Sequence, residues 1–158
     1  MTAPSDSRAP SGPHPKATLL FRIMLSLIFL VAGTGHLLNT GHIVERLMEA
    51  KYGVLATAIA PARPLVLLAG AALLIGGLGI LLGYRTRWAA VLLILVLIPI
   101  TITIQIGRPT LGPFFKNVAI MGGLIFFATH GAGPYSLDPR EPPPRGRARP
   151  NASRVSAG

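Results

Sequence analysis

The chain has 158 residues, 51% of them hydrophobic and only 13% charged, with a formal net charge of +10. A soluble domain carries about twice that share of charge, so the composition excludes an ordinary water-soluble globule. Cysteine is absent, which removes thiol redox chemistry, disulfides, thiolate metal sites and thioether-linked haem.

Residues 1–16 are rich in Pro, Ser, Ala and Gly and offer nothing to pack; they read as a disordered tail. Four apolar stretches follow: Ala17–Leu38, Pro64–Gly83, Ala89–Ile106 and Leu111–His130. A hydrocarbon core about 30 Å thick needs roughly 20 helical residues to cross it. The second and third stretches meet that with no charged residue inside them. The first follows a basic residue, as a signal peptide would, but its continuation to Leu38 behind a long tail favours a retained helix. The expected fold is therefore an all-α membrane protein. It is a four transmembrane helix bundle over residues 17–138, with a disordered, basic, Pro-rich tail over 139–158.

The one long loop, Asn39–Arg63, carries Ile43, Leu47 and Met48 at helical spacing within Gly41–Tyr52. With Glu45, Arg46, Glu49 and Lys51 largely on the other side, this predicts a short interfacial helix between spans one and two. It serves either as a cap over the bundle or as a partner-binding element. Span two is dense in small residues: Ala72 and Gly76 are four apart, as are Gly79 and Gly83, with Gly77 between. Such spacing lets another helix approach closely. Gly33 and Gly35 of span one and Gly122 and Gly123 of span four are the expected opposing surfaces, and self-association is a reasonable expectation. Pro99 should break the hydrogen-bond ladder of span three, with Thr101 and Thr103 near enough to re-satisfy freed carbonyls.

Four spans put both tails and the loop between spans two and three on one side. That side holds ten Lys and Arg, among them Arg85 and Arg87 and five tail arginines, against five on the other. The excess predicts cytoplasmic termini in a plasma (inner) membrane. Basic tails can bind nucleic acid, but here they are read as orientation signals and headgroup contacts, so membrane lipids and not nucleic acid are the expected partners.

This topology sorts the polar residues into two sets. Arg22, Arg85, Arg87, His130 and Asp138 fall on the cytoplasmic side; His36, His42, Gln105, Arg108, Lys116 and Asn117 fall on the outer side. His36 and His130 resemble axial haem ligands by type, but a span about 30 Å long separates them. His36 and His42 sit too close on one segment to face each other easily, so haem is disfavoured. Arg22, some five residues inside an apolar span, has three readings: snorkelling to headgroups, an ion pair with Asp138, or a site for an anionic or carbonyl headgroup. A guanidinium fork suits either of the last two, and His130 beside it would exchange protons near neutral pH. A quinone needs such donors at a bundle's edge. His36, Gln105, Lys116 and Asn117 form a second, outer polar cluster, equally readable as hydrogen bonding between helices. No carboxylate lies inside a span, and no nucleophile–base pair, phosphate-cradling loop or metal-spacing motif is present. A carboxylate-based, proton-coupled transporter is therefore disfavoured.

Several of these residues carry a resemblance. Leu20-Phe21-Arg22, Ile28-Phe29-Leu30-Val31-Ala32-Gly33 and Gly35-His36, then Gly76-Gly77, Gly83 and Thr86-Arg87, resemble the DoxX family of small bacterial membrane proteins. Lys116-Asn117, Gly122-Gly123-Leu124 and the closing Gly131, Gly133-Pro134-Tyr135-Ser136-Leu137-Asp138 are similar to its terminal motif. The resemblance runs from Leu19 to Asp138. It implies a four-helix membrane subunit or anchor associated with redox or oxidative-stress complexes, with protein partners or a second copy of itself; the cofactor stays open, with quinone as one candidate. Two departures stand out: many relatives carry a Glu in span two where this chain is apolar near Leu73, and a His late in span three where Gln105 stands. On this reading a cytoplasmic site of Arg22, His130, Tyr135 and Asp138 holds the quinone. The alternatives are a non-enzymatic scaffold or lipid-binding protein with Arg22 and Asp138 as a structural lock, and a small transporter.

Overall fold

The computed structural model describes residues 14–106, 111–133 and 135–138; the two tails and Arg108 lie outside these. The elements of the described residues are all helices: α1 (Pro15–Leu38), α2 (Thr40–Glu49), α3 (Gly53–Thr57), α4 (Ala62–Leu82), α5 (Thr86–Ile100) and α6 (Gly112–His130). A π-helical turn, Thr101–Gln105, continues α5. The four spans, Pro15–Leu38, Ala62–Leu82, Thr86–Gln105 and Gly112–His130, are each long and apolar enough to cross a membrane.

The helix ends follow local chemistry. Pro15 opens α1, where a missing N–H costs nothing. Pro64 likewise lies in the first turn of α4, so α4 begins two residues ahead of the expected boundary. Gly83 closes α4 at φ +65 and Gly131 closes α6 at φ +73, conformations that favour glycine. After Pro99 the ladder slips to a π turn, with the Ile106 N–H on the Thr101 carbonyl at 3.2 Å. As expected, both threonine hydroxyls bond carbonyls one turn back: Thr101 to Leu97 and Thr103 to Pro99, each at 2.7 Å.

The spans form a ring in which α1 packs most extensively on α4, α4 on α5, and α5 on α6. Small residues set these distances. A Cβ on Gly33 would stand 2.9 Å from the Gly70 carbonyl of α4, and one on Gly76 would stand 2.6 Å from Leu93 of α5. The glycine pairing differs from the sequence expectation for α6. Gly123 faces Phe21 and Leu25 of α1, not α4, while Gly35 and Gly122 meet no neighbour within 4 Å. Helical spacing marks small residues but does not say which neighbour they face.

The α1–α6 seam is the looser one and is bridged by large side chains. Near the tail-bearing end Phe21 packs on Phe127 and Phe126, with ring centroids 5.2 and 6.0 Å apart. The core is Leu25, Phe29, Leu73, Ile80, Leu93, Leu97, Leu124 and Phe127. Outward faces are also apolar, with Leu68, Ile75, Leu95 and Val31 all exposed, as expected of helices solvated by lipid. The loop between α1 and α4 holds two short helices rather than one. On α2, Leu47 is buried and Ile43 half-buried, but Met48 is exposed, so the buried face is narrower than the spacing suggested.

Candidate functional site

Polar groups gather at both ends of the bundle, and the two gatherings differ in kind. At the tail-bearing end Arg22 is buried at 2% exposure. Its Nη1 donates to the Ala132 carbonyl at 3.2 Å and its Nη2 to the Tyr135 carbonyl at 2.6 Å. Tyr135 holds a left-handed φ of +61, and its side chain is exposed. The segment after α6 then turns back across the α4–α5 connection. The Leu137 N–H bonds the Leu82 carbonyl at 3.2 Å and the Asp138 N–H bonds the Gly83 carbonyl at 2.7 Å. The Asp138 carboxylate accepts from the backbone N–H groups of Arg85 at 2.5 Å and Thr86 at 3.0 Å. A carboxylate there satisfies two of the four orphan donors of α5 and complements its dipole. It also explains why α5 starts at Thr86, three residues before the apolar stretch.

Arg22 and Asp138 thus act in one assembly without pairing directly. The charge of Asp138 acts on Arg22 across a gap, while the oxygens of Asp138 serve α5 and two guanidinium nitrogens serve the closing segment. Arg22 Nε and Thr86 Oγ1 are buried without a partner among the described residues. Gly83 is what lets the pieces meet: a Cβ there would lie 2.5 Å from Ser136 Cβ and 2.6 Å from Arg22 Nη1. His130 does not join them. It is exposed, stacked on Phe126 with centroids 4.6 Å apart, and its Nδ1 sits 2.8 Å from the Thr129 hydroxyl and 3.1 Å from the Phe126 carbonyl. Of the four residues expected to form this cluster, Arg22 and Asp138 enter by side chain, Tyr135 by its carbonyl alone, and His130 stands outside.

At the opposite end the seam between α1 and α6 opens. On α1, Ile28, Ala32 and Gly35 take the place of the phenylalanine-filled stretch, and the result is a cavity of about 320 Å³. That falls at the small end of ordinary ligand pockets, about 300–1,000 Å³. All four residues of the expected outer cluster, His36, Gln105, Lys116 and Asn117, line it, and so does Arg46. The walls are otherwise apolar, with Phe29, Leu73, Leu97 and Ile120 among them. Among the described residues no acidic side chain lines the cavity, whose polar end carries Arg46 and Lys116.

Each polar group has a definite disposition. Asn117 is buried and its Nδ2 donates to Thr101 Oγ1 at 2.9 Å, which ties α6 to the π turn. His36 Nδ1 lies 2.8 Å from the Ala32 carbonyl. A carbonyl only accepts, so Nδ1 is the donor in this contact. Gln105 Oε1 is buried without a partner among the described residues, and a buried acceptor without a donor is costly. The π turn brings this residue to the cavity, and π turns are frequent at functional sites. The cavity is therefore lined by the cationic side chains of Arg46 and Lys116 and by the polar side chains of His36, Gln105 and Asn117, over an apolar body. Among the described residues no cluster of three or more His, Asp or Glu gathers to hold a metal.

Residues 17–106 match the DoxX family model. The chain belongs to the DoxX family. The match runs from α1 through the π turn, so it includes Arg22, His36, Arg46 and Gln105; α6 and the closing segment lie beyond it. No curated protein and no solved structure matches the chain. It is a DoxX-type, multi-pass membrane protein of four apolar helices. Arg46 is the cavity residue that sequence reasoning missed. It was placed with the charged face of α2, although it lies three positions after Ile43 and beside Leu47, on the inward-turned side.

Proposed function

We propose that this DoxX protein is a membrane subunit of a redox complex that binds a quinone-type amphiphile in the cavity between α1 and α6. The observation that carries this reading is the gathering of His36, Arg46, Gln105, Lys116 and Asn117 around one otherwise apolar cavity. A quinone's carbonyls accept hydrogen bonds, and Arg46 and Lys116 supply donors. Its reduced form carries hydroxyls, and Gln105 and His36 are the lining side chains that can supply acceptors. A site equipped for only one of these states would bind the other poorly. The Arg22 assembly is assigned a structural role, because two of its nitrogens and both Asp138 oxygens already serve the chain's own backbone. The excess of Lys and Arg on the tail-bearing side supports cytoplasmic termini in a plasma or inner membrane, with the cavity near the outer leaflet. Protein partners would then meet the exposed apolar faces or α2 and α3.

The test is extraction and quantification of quinone from protein purified out of its native membrane, beside Arg46→Ala and Gln105→Leu. Quinone in the wild type and a clear loss in both variants supports the site. Phospholipid in place of quinone, equally retained in both variants, overturns it in favour of a scaffold or lipid-binding role.

A further inference from the structure

A second hollow of about 370 Å³ lies on the other side of α1's last turns, lined by Leu65, Ala69, Ala72, Val96 and Pro99 among others. Its chemistry is the converse of the first. Apart from His36 and Thr103 its lining is apolar, and the Thr103 hydroxyl is turned onto the Pro99 carbonyl, so it has little with which to recognise a polar head. His36, Ile43, Ile100 and Ile104 line both hollows. The two are therefore neighbouring lobes that meet at these four side chains, contributed by the end of α1, the inward face of α2, the end of α5 and the π turn. The small residues Ala69 and Ala72 of α4, and the ladder slip after Pro99, leave the apolar lobe unfilled. Its rim includes Leu68 and Leu95, which are exposed at 69% and 63% on faces that lipid would solvate.

We infer that the ligand of the polar lobe carries a long apolar chain, which lies in this second lobe and reaches the bilayer between α4 and α5. The inference rests on the proposed polar-lobe site and adds the class of ligand: a carbonyl-bearing ring with an isoprenoid or alkyl chain, not a free ring. It also fixes the route, since such a ligand enters from lipid and needs no aqueous path. The chain gains little from leaving bilayer hydrocarbon for an apolar wall. Its contribution is close packing, the sum of many small contacts, for which we expect about a tenfold effect on affinity.

The probes are menadione, a naphthoquinone ring without a chain, and menaquinone bearing two isoprene units, each titrated against purified protein in detergent. The variants Ala69→Phe and Ala72→Phe fill the apolar lobe and leave the polar lobe alone. The expected result is about a tenfold preference of the wild type for the chain-bearing quinone, lost in both variants while menadione binding is unchanged. Retained menadione binding is also the control for folding, and the wild-type preference stands as a measurement even where one variant fails to fold. Equal binding of both quinones by the wild type overturns the two-lobed site and leaves the polar lobe intact. A preference that survives both substitutions also overturns it, since it would then come from detergent partitioning. Binding of neither quinone overturns the polar-lobe reading and this inference together.

Discussion

Replacing Arg22 by Met isolates what its guanidinium does, because Met keeps much of the apolar stem and removes the fork. In the wild type that fork, at 2% exposure, donates to the carbonyls of Ala132 and Tyr135. Hydrogen bonds from charged donors contribute about 1.5–3 kcal/mol each, so two give about 3–6 kcal/mol. Removing one member of a buried charged arrangement costs about 3–5 kcal/mol, which brackets the same value. Lys at this position keeps the charge but not the planar fork, and Arg22→Lys should fall between Met and wild type. The loss should appear first as release of the closing segment and only then as global unfolding, since Arg22 binds that segment to α1. The absence of cysteine makes this measurable: Ala132→Cys introduces a single thiol at a position that is 3% exposed. A membrane-permeant maleimide should label it slowly in the Arg22 background and far faster with Arg22→Met. The thermal midpoint in detergent should fall by on the order of 10 °C. Equal labelling rates together with an unchanged midpoint would show that the closing segment is held by something else.

Other substitutions separate the remaining parts of the same assembly. Asp138→Ala removes the carboxylate that caps α5 and should cost about 1–2 kcal/mol, read from denaturation in mixed detergent, with Asp138→Asn at about half that. Gly83→Ala forces a side chain into φ +65, with its Cβ 2.5 Å from Ser136 Cβ. Left-handed strain alone costs about 1–2 kcal/mol, so this variant should lose more stability than Asp138→Asn in the same assay. Gly76→Ala drives a methyl to 2.6 Å from the fully buried Leu93, and overpacking of that kind costs about 1–3 kcal/mol; Gly122→Ala, which meets nothing within 4 Å, should leave the melting curve unchanged. Asn117→Ala removes the bond to Thr101 and should cost about 1 kcal/mol, with faster amide exchange confined to the π turn.

The sequence by itself determined the solvent, the class of fold and the number of spans. Continuous apolar runs of bilayer length permit few other outcomes once backbone groups must be satisfied within lipid. It also foretold the disturbance at Pro99 and the bonds made by Thr101 and Thr103, because a missing N–H and a hydroxyl one turn away are local facts. Family membership was legible too, in short motifs along α1 and α4. Only the tertiary structure decided which polar residues meet. Arg22 and Asp138 share the tail-bearing end, as the topology implied, yet each is engaged with backbone that lies far away in the chain. That engagement moves the start of α5 and leaves His130 outside. At the other end His36, Gln105, Lys116 and Asn117 do surround one space, joined by Arg46. Whether that space was a cavity or a packed core depended on the width of the α1–α6 seam. Phenylalanines fill the seam at one end, and alanine and glycine leave it open at the other. Periodicity reports which face of a helix is small or polar, but the separation between two helices is set by every side chain along their contact.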